Sequence, residues 1–531
     1  MKNKLLFLVF LVSIISISCA RKGRPEGGPK DEQAPIMMTA KPPYKTIGFD
    51  KKNIKIEFNE YIVLKNLTKQ LVVSPPLKYP PVITPQGTPS KYINIEILDT
   101  LKSNTTYTFN FGNAVQDNNE NNKLERFKYV FSTGTYIDSL KLKGTVTTAF
   151  TKDKLKNINV LLYKLDSTYN DSIVYKQKPN YVTSTLDSTN FEFSNLQEGK
   201  YLLLALKETS SNYIFNSKTE EIGFYKDTIS LPTDTLISNP ISIFKEEQPY
   251  KFKRGKEVTK GKIEFGYEGK KKDMKIKLLS KVPQLFKSFY EFEKDKDTLN
   301  YWFTPIAQDS LNFKITNKNY SDTITVNLNK NKLDSLFVSS NITRVLPLND
   351  TLFLKTNNPI ITIDKTKFSL THKDSLSINF NVKKQGINKI AVLFEKTPKT
   401  NYKLDVLPKA IIDLYETTND TLSYNFQTRT IEDYGSIVLE VKKETTHPVI
   451  IQLLENNQVI KTQYISSSKK VSFTLLEPKE YTVRAIIDKN NNHIWDTGNY
   501  LLKKQPEQVI FLDNIFKLRA NWIQNEIFII K

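Results

Sequence analysis

The segment Asp488-Lys-Asn490-Asn-Asn492-His-Ile494-Trp-Asp496 concentrates more oxygen donors than any other stretch of the chain. Side-chain oxygens recur at every second position from Asp488 to Asn492 and again at Asp496. The carbonyl of Ile494 falls between them. Hard cations such as calcium take six to eight oxygens at this kind of spacing. Asp488, Asn490, Asn492, Ile494 and Asp496 are therefore candidate calcium ligands. His493 stands where the sharp turn of such a loop prefers glycine, and Asn499 offers no closing glutamate. The same residues also suit an Asx-rich hairpin turn, in which side chains bond to their own backbone. Asp117-Asn-Asn-Glu120 is a shorter version of the pattern.

Other chemistry is thinly supplied. The 531-residue chain has one cysteine and three histidines, His372, His447 and His493. One thiol cannot make an intramolecular disulfide or a thiolate zinc cluster. Seventeen glycines form neither a dinucleotide fingerprint nor a phosphate loop, and no GxSxG elbow occurs. The chain reads as non-enzymatic. A pair of acids of glycosidase type is set by spatial, not sequential, spacing, so a carboxylate hydrolase within residues 250–440 stays as one alternative. An exposed tryptophan beside a groove (Trp302, Trp495 or Trp522) would indicate a glycan site.

The single cysteine has a telling position. Lys2 and Lys4 precede an apolar run from Leu5 to Ile15, and Ser16-Ile17-Ser18-Cys19 follows. The run is too short to span a bilayer and reads as a signal peptide. It resembles the signal of bacterial lipoproteins, which implies cleavage after residue 18 and acylation of Cys19. By the same resemblance Ala20, in place of an aspartate, implies the outer membrane of a diderm bacterium. Residues 19–34 are polar and rich in Gly and Pro, as a flexible tether is. Lys30-Asp-Glu32 is similar to the charged surface-export signals of Bacteroidetes lipoproteins.

The net charge is +21, but only eight of the 77 basic residues are arginine. Base and phosphate readers favour arginine, so no nucleic-acid partner is expected. Spread-out lysines suit solvated strand faces and contact with anionic lipid or glycan surfaces.

What positions these residues is β-structure. Period-two alternation marks Ile54-Ile56-Phe58, Ile93-Ile95-Ile97, Tyr107-Phe109-Phe111, Phe127-Tyr129-Phe131, Leu376-Ile378-Phe380-Val382, Ile437-Leu439-Val441 and Val471-Phe473-Leu475. Such runs are half-buried antiparallel strands. Val282 to Glu293 is the one modest helical candidate. The expected fold is all-β: tandem antiparallel β-sandwiches, four or five in a row.

Residues 35–135 resemble the S-layer-type bacterial Ig-like domain. The resemblance rests on Ile54–Tyr61, Val73–Leu77, Asn104–Phe109, Asp117–Glu120 and Phe131–Gly134. It implies a seven-stranded sandwich that spaces and presents other modules. Residues 137–248 resemble the prealbumin-like sandwiches of the collagen-adhesin B and carboxypeptidase-regulatory type, through Gly144-Thr-Val146, Val160–Leu162, Phe191-Glu-Phe193, Leu196 and Gly199-Lys-Tyr201. Phe473, Leu476 and Tyr481 repeat the spacing of Phe193, Leu196 and Tyr201. Residues 442–531 are thus expected to be a second copy with a C-terminal strand. In that register Glu208, Ser210 and Asn212 match Asp488, Asn490 and Asn492. Residues 340–441 are a candidate second Ig-like unit, and 249–339 a β-rich block of no named type.

The triplet Asp-Ser/Thr-apolar-or-Thr begins at 14 of the 27 aspartates, Asp99 and Asp227 among them. It resembles the O-glycosylation acceptor of Bacteroidetes exported proteins. The same triplet also ends a turn and starts a strand. Together these features describe a lipid-anchored envelope scaffold or adhesion protein with envelope protein or glycan partners. A glycan- or nutrient-binding subunit of an outer-membrane transporter is the alternative from another class.

Overall fold

A computed structural model describes residues 30–294, 296–372 and 376–531. Among these residues the helical pieces are short: Leu67–Gln70, and single 3₁₀ turns at Asp171–Tyr175, Lys365–Lys367 and Ile431–Asp433. Everything else of regular structure is strand. The helical candidate at 282–293 is not a helix. Ser288–Phe292 is a strand paired with Thr298–Phe303. Pro283 cannot donate inside a helix, and the neighbouring strand supplies the backbone partners instead.

Alternating residues build the cores as expected. Ile54, Ile56 and Phe58 are buried while Lys55 faces solvent. Each such side chain contributes about 1.5–3 kcal/mol through burial. The run at 376–382 is only half strand. Phe380 and Val382 lie on Phe380–Gln385, whereas Leu376 is exposed.

The first sandwich has eight strands: Met37–Lys41, Asn53–Leu64, Val72–Ser74, Val82–Thr84, Ser90–Glu96, Thr106–Gly112, Val115–Asp117 and Phe127–Ser132. One sheet runs first, second, fifth, fourth, with the seventh also on the second. The other runs third, sixth, eighth. The strands between Val338 and Gln427 follow the same path, except that the second strand is split and its later piece, Ile360–Ile363, pairs with Ile411–Asp413. Both units share a tyrosine device: the Tyr107 hydroxyl accepts from Lys102 N at 2.9 Å, and the Tyr402 hydroxyl from Thr397 N at 2.8 Å. The block between Lys251 and Asn327 repeats this path again without the seventh strand.

The remaining two sandwiches share a different path. In each, one sheet ends on a parallel pair: Ile241–Ile243 beside Leu140–Thr148, and Ile523–Ile530 beside Gly435–Lys443. The repeated Phe-Leu-Tyr spacing has a physical basis. Asn195 and Leu475 both take left-handed backbone, bulging the strand between Phe and Leu. Tyr201 and Tyr481 then donate to the carbonyls of Gln197 and Glu477 at 3.0 and 2.8 Å.

Neighbouring sandwiches are bonded to each other. Val182 N donates to Ser74 Oγ at 3.1 Å, Lys178 Nζ to the Leu77 carbonyl at 2.6 Å, and Gln197 Nε2 to the Asn104 carbonyl at 3.1 Å. Tyr415 donates to the Gly261 carbonyl at 2.8 Å.

Candidate functional site

The oxygen-rich loop leaves the strand Glu480–Ile487, whose apolar run ends at fully buried Asp488. The Asp488 carboxylate accepts from Asn492 N at 3.1 Å and His493 N at 2.8 Å. Asn490 Nδ2 and Asn492 Nδ2 both donate to Asp496 Oδ2, at 2.5 and 3.1 Å. Asn492 Oδ1 accepts from Ile494 N at 2.9 Å, while the Ile494 side chain is exposed. Glu507 closes the loop by accepting from Lys489 N and Asp496 N at 2.8 and 3.0 Å. The fold thus gathers Asn490, Asn492 and Asp496, and turns Asp488 onto the loop's own N–H groups. Among the described residues no group of three or more His, Cys, Asp or Glu is placed to hold a metal.

The matching loop of the earlier copy has the same bonds. Glu208 accepts from Asn212 N and Tyr213 N at 2.8 and 3.0 Å. Glu220 accepts from Thr209 N and Asn216 N at 3.1 and 2.9 Å. Left-handed residues fall at matching places, Ser211 and Tyr213 in one loop and Asn491 and His493 in the other. One backbone is therefore built around a carboxylate at the same position in both copies, glutamate in one and aspartate in the other. Asp488→Ala should cost about 1.5–3 kcal/mol, the range for hydrogen bonds to a charged acceptor. Urea unfolding in chelator and in calcium should show the same loss. A loss confined to calcium would assign the loop to the cation instead.

Beyond this turn the last sandwich docks on the second. Tyr500 is fully buried beside Phe224 (centroids 5.7 Å apart) and Tyr175 (6.3 Å), and its N–H donates to Glu246 Oε1 at 2.6 Å. Thr497 Oγ1 donates to the Lys245 carbonyl at 2.6 Å and Gln505 Nε2 to the Phe224 carbonyl at 2.9 Å. A Cβ on Gly498 would lie 2.5 Å from the Phe244 ring, so only glycine allows this approach. Arg484 lies 3.7 Å over the Phe150 ring and donates to the Phe150 carbonyl at 2.7 Å and Gln452 Oε1 at 2.8 Å. Burial pulls the Arg484 guanidinium down to about 10, which leaves it charged at neutral pH. Sequence reasoning named none of Phe150, Glu246, Arg484 and Tyr500. The one available signal was an arginine inside the apolar run Tyr481–Ile487.

Burial also pushes the Glu246 carboxyl up, against the Tyr500 N–H that favours its charge. The docked state therefore binds the proton more tightly than the undocked one. Glu246's contribution is complete below the usual carboxylate range and is lost as pH rises through the raised value. Glu246→Gln keeps the acceptor for Tyr500 and should flatten this dependence. Across pH 4 to 8 (an interval set by ordinary carboxylate values) the thermal midpoint of the native chain, taken relative to that of the variant, should fall as pH rises.

The other expected sites divide clearly. Cys19 lies outside the described residues, as do Asp374 and Ser375 of one triplet. Asp117 is buried and accepts from the N–H groups of Glu120, Asn121 and Asn122, as an Asx turn does. His372 ends a strand, His447 sits in a turn, and His493 packs edge-on to Tyr464 at 4.6 Å. Within 250–440 buried Glu257 and Asp413 are tied to backbone N–H groups. Glu257 accepts from Asn329 N and Lys330 N, and Asp413 from Tyr415 N and Thr417 N. Trp302 is buried; Trp522 is exposed beneath Arg519. Trp495 is half-buried, packs on Phe150 at 4.4 Å and donates to the Glu507 carbonyl at 2.9 Å. In the triplets Thr228, Thr323 and Thr421 are exposed, while Ile229, Leu299, Leu311 and Leu352 are buried. Strand alternation itself turns the hydroxyl outward.

Two clefts, of about 430 and 490 Å³, flank residues 148–155 between the second and last sandwiches. The first is lined by hydroxyls and amides, including Thr147, Thr189, Ser242 and Gln508, together with apolar Ala149, Leu155, Val509 and Phe511. The second is lined by Trp495, Phe150 and lysines.

The first sandwich now has both its strand path and its loop on record. Residues 31–133 match the bacterial Ig-like domain. Outside that segment the likeness is distant. The S-layer protein rSbsC(31-844) is 13% identical with a TM-score of 0.15, covering 92% of this chain and 68% of that one. Titin domains A168–A170 are 9% identical with a TM-score of 0.14, covering 45% and 93%. The TIE protein of Bacillus anthracis is 10% identical with a TM-score of 0.13, covering 96% and 76%. No curated protein matches the chain. Among the described residues no helix is long and apolar enough to cross a membrane.

Proposed function

We propose that the chain is a non-enzymatic, lipid-anchored scaffold of a diderm cell envelope, tethered through Cys19 and displayed at the surface. The observation that carries this reading is the docking of the last sandwich onto the second through Arg484, Trp495 and Tyr500. Bonded neighbours plus a fold-back contact make a body of fixed shape, which suits presentation rather than turnover. The chemistry-bearing groups support it. Trp495 is used in docking, and the buried acids hold loops. The units at 137–248 and 442–531 are read as prealbumin-like sandwiches, and those at 249–339 and 340–441 as Ig-like ones. Outward Ser and Thr of the Asp-Ser/Thr triplets are suited to glycosylation.

Surface shaving of intact cells with protease tests the placement. Peptides from the exposed loops should be released without lysis. Protection of the whole chain until the outer membrane is opened would overturn surface display. Intact-mass measurement of native material should show added hexose-type mass on the mature chain, and an unmodified mass would remove the glycosylation reading.

A further inference from the structure

The third sandwich holds a sheet face whose outward-pointing charged residues are lysines, with exposed Asp322 on the edge strand beside them. Lys275–Leu278 pairs with Ser310–Asn317, which pairs with Tyr320–Asn327. Leu311, Phe313 and Ile315 are buried, so the alternate residues point outward. In that outward layer Lys277 stands directly opposite Lys314, and Lys275 opposite Thr316. Lys314 faces Thr323, and Asn312 faces Thr325. Directly opposed residues have Cβ atoms about 4.5–5.5 Å apart, and like charges there destabilise the sheet.

Two other lysine pairs oppose each other across strands, Lys41 with Lys55 and Lys355 with Lys389. Each has relief. Lys55 is 2.7 Å from Glu57, and Lys389 sits 3.5 Å over the Phe353 ring. Among the described residues Lys275, Lys277 and Lys314 have no carboxylate or aromatic partner, and all three are exposed. The surrounding unit is itself basic: residues 249–339 hold 18 lysines and one arginine against 11 acids.

We propose that this face binds an acidic polysaccharide. An anion between Lys277 and Lys314 removes their repulsion, and Lys275 lies two residues along the same strand to take the next charge. Thr316, Thr323, Thr325 and Asn312 border the lysines and match the hydroxyls between acidic groups. A bilayer is the weaker partner, because the face carries one exposed apolar side chain, Leu279, at its rim. The proposal is independent of the lipid anchor and of surface display.

The test uses the full chain, with polygalacturonate, neutral dextran and vesicles containing phosphatidylglycerol as probes. Binding to polygalacturonate should exceed binding to both others and weaken as salt screens it. Lys277→Ser combined with Lys314→Thr should weaken it about tenfold, a ratio equal to about 1.4 kcal/mol. The charge-matched control Lys51→Ser with Lys52→Ser should leave it nearly unchanged. Melting of the first variant at or above the native midpoint shows that it folds. Equal losses in both variants, tighter binding to the vesicles, or no binding to polygalacturonate would each overturn the proposal.

Discussion

Cys19→Ser should move the protein from the membrane fraction to the soluble one. The reason is the arithmetic of acyl chains. Each buried CH₂ contributes about 0.8 kcal/mol, one chain alone gives marginal binding, and two hold stably. Serine at this position carries no thioether, so on the proposed anchoring every chain is lost at once. Among the described residues no helix is long and apolar enough to cross a membrane. Fractionation with carbonate washing, and mass analysis of the N-terminal peptide, give the readout. A serine variant that stays in the washed membranes would end the lipoprotein reading.

Tyr500→Ala should release the last sandwich from the second. The ring is fully buried at the contact, and its N–H is held by Glu246. Truncating a buried aromatic costs about 3–5 kcal/mol through lost burial and the cavity left behind. Neighbouring contacts at Arg484 and Gly498 cannot close that space, because Gly498 already touches the Phe244 ring. The expected signs are faster proteolysis within 495–505 and a lower first unfolding transition. Tyr500→Phe is the control. It loses only the 3.4 Å contact with the Tyr169 hydroxyl, about 1 kcal/mol or less. Equal behaviour of the alanine and phenylalanine variants would show that the contact is not held by this ring.

Much of the architecture was readable because the sandwich faces are built at the period of the strand. Ile54-Ile56-Phe58 and Val471-Phe473 alternate, and their side chains fill cores as that period requires. The Phe-Leu-Tyr spacing was readable too, because a bulge and a tyrosine bond fix it in both copies. The third sandwich was not. Its strand path is that of the first without the seventh strand, but no local motif encodes a path. It emerges only when Lys262–Glu268 finds Thr298–Phe303.

The oxygen-rich loop shows the same limit. Its residues announced converging side chains, and Asn490, Asn492 and Asp496 do converge. In this fold the Asp488 carboxylate accepts from the N–H groups of Asn492 and His493, a pairing that residue spacing does not specify.

The residues alone determined the all-β class, the alternation of buried and solvated faces, and the duplicated loop. They also placed the one cysteine just after the apolar run Leu5 to Ile15. The tertiary structure decided which surfaces meet. Phe150 and Arg484, or Glu246 and Tyr500, are more than 250 positions apart. Their contact depends on the direction in which intervening sandwiches turn the chain, and periodicity carries no such information. The opposed lysines at 277 and 314 have the same origin. Each reads as an ordinary solvated residue until strand pairing sets them face to face.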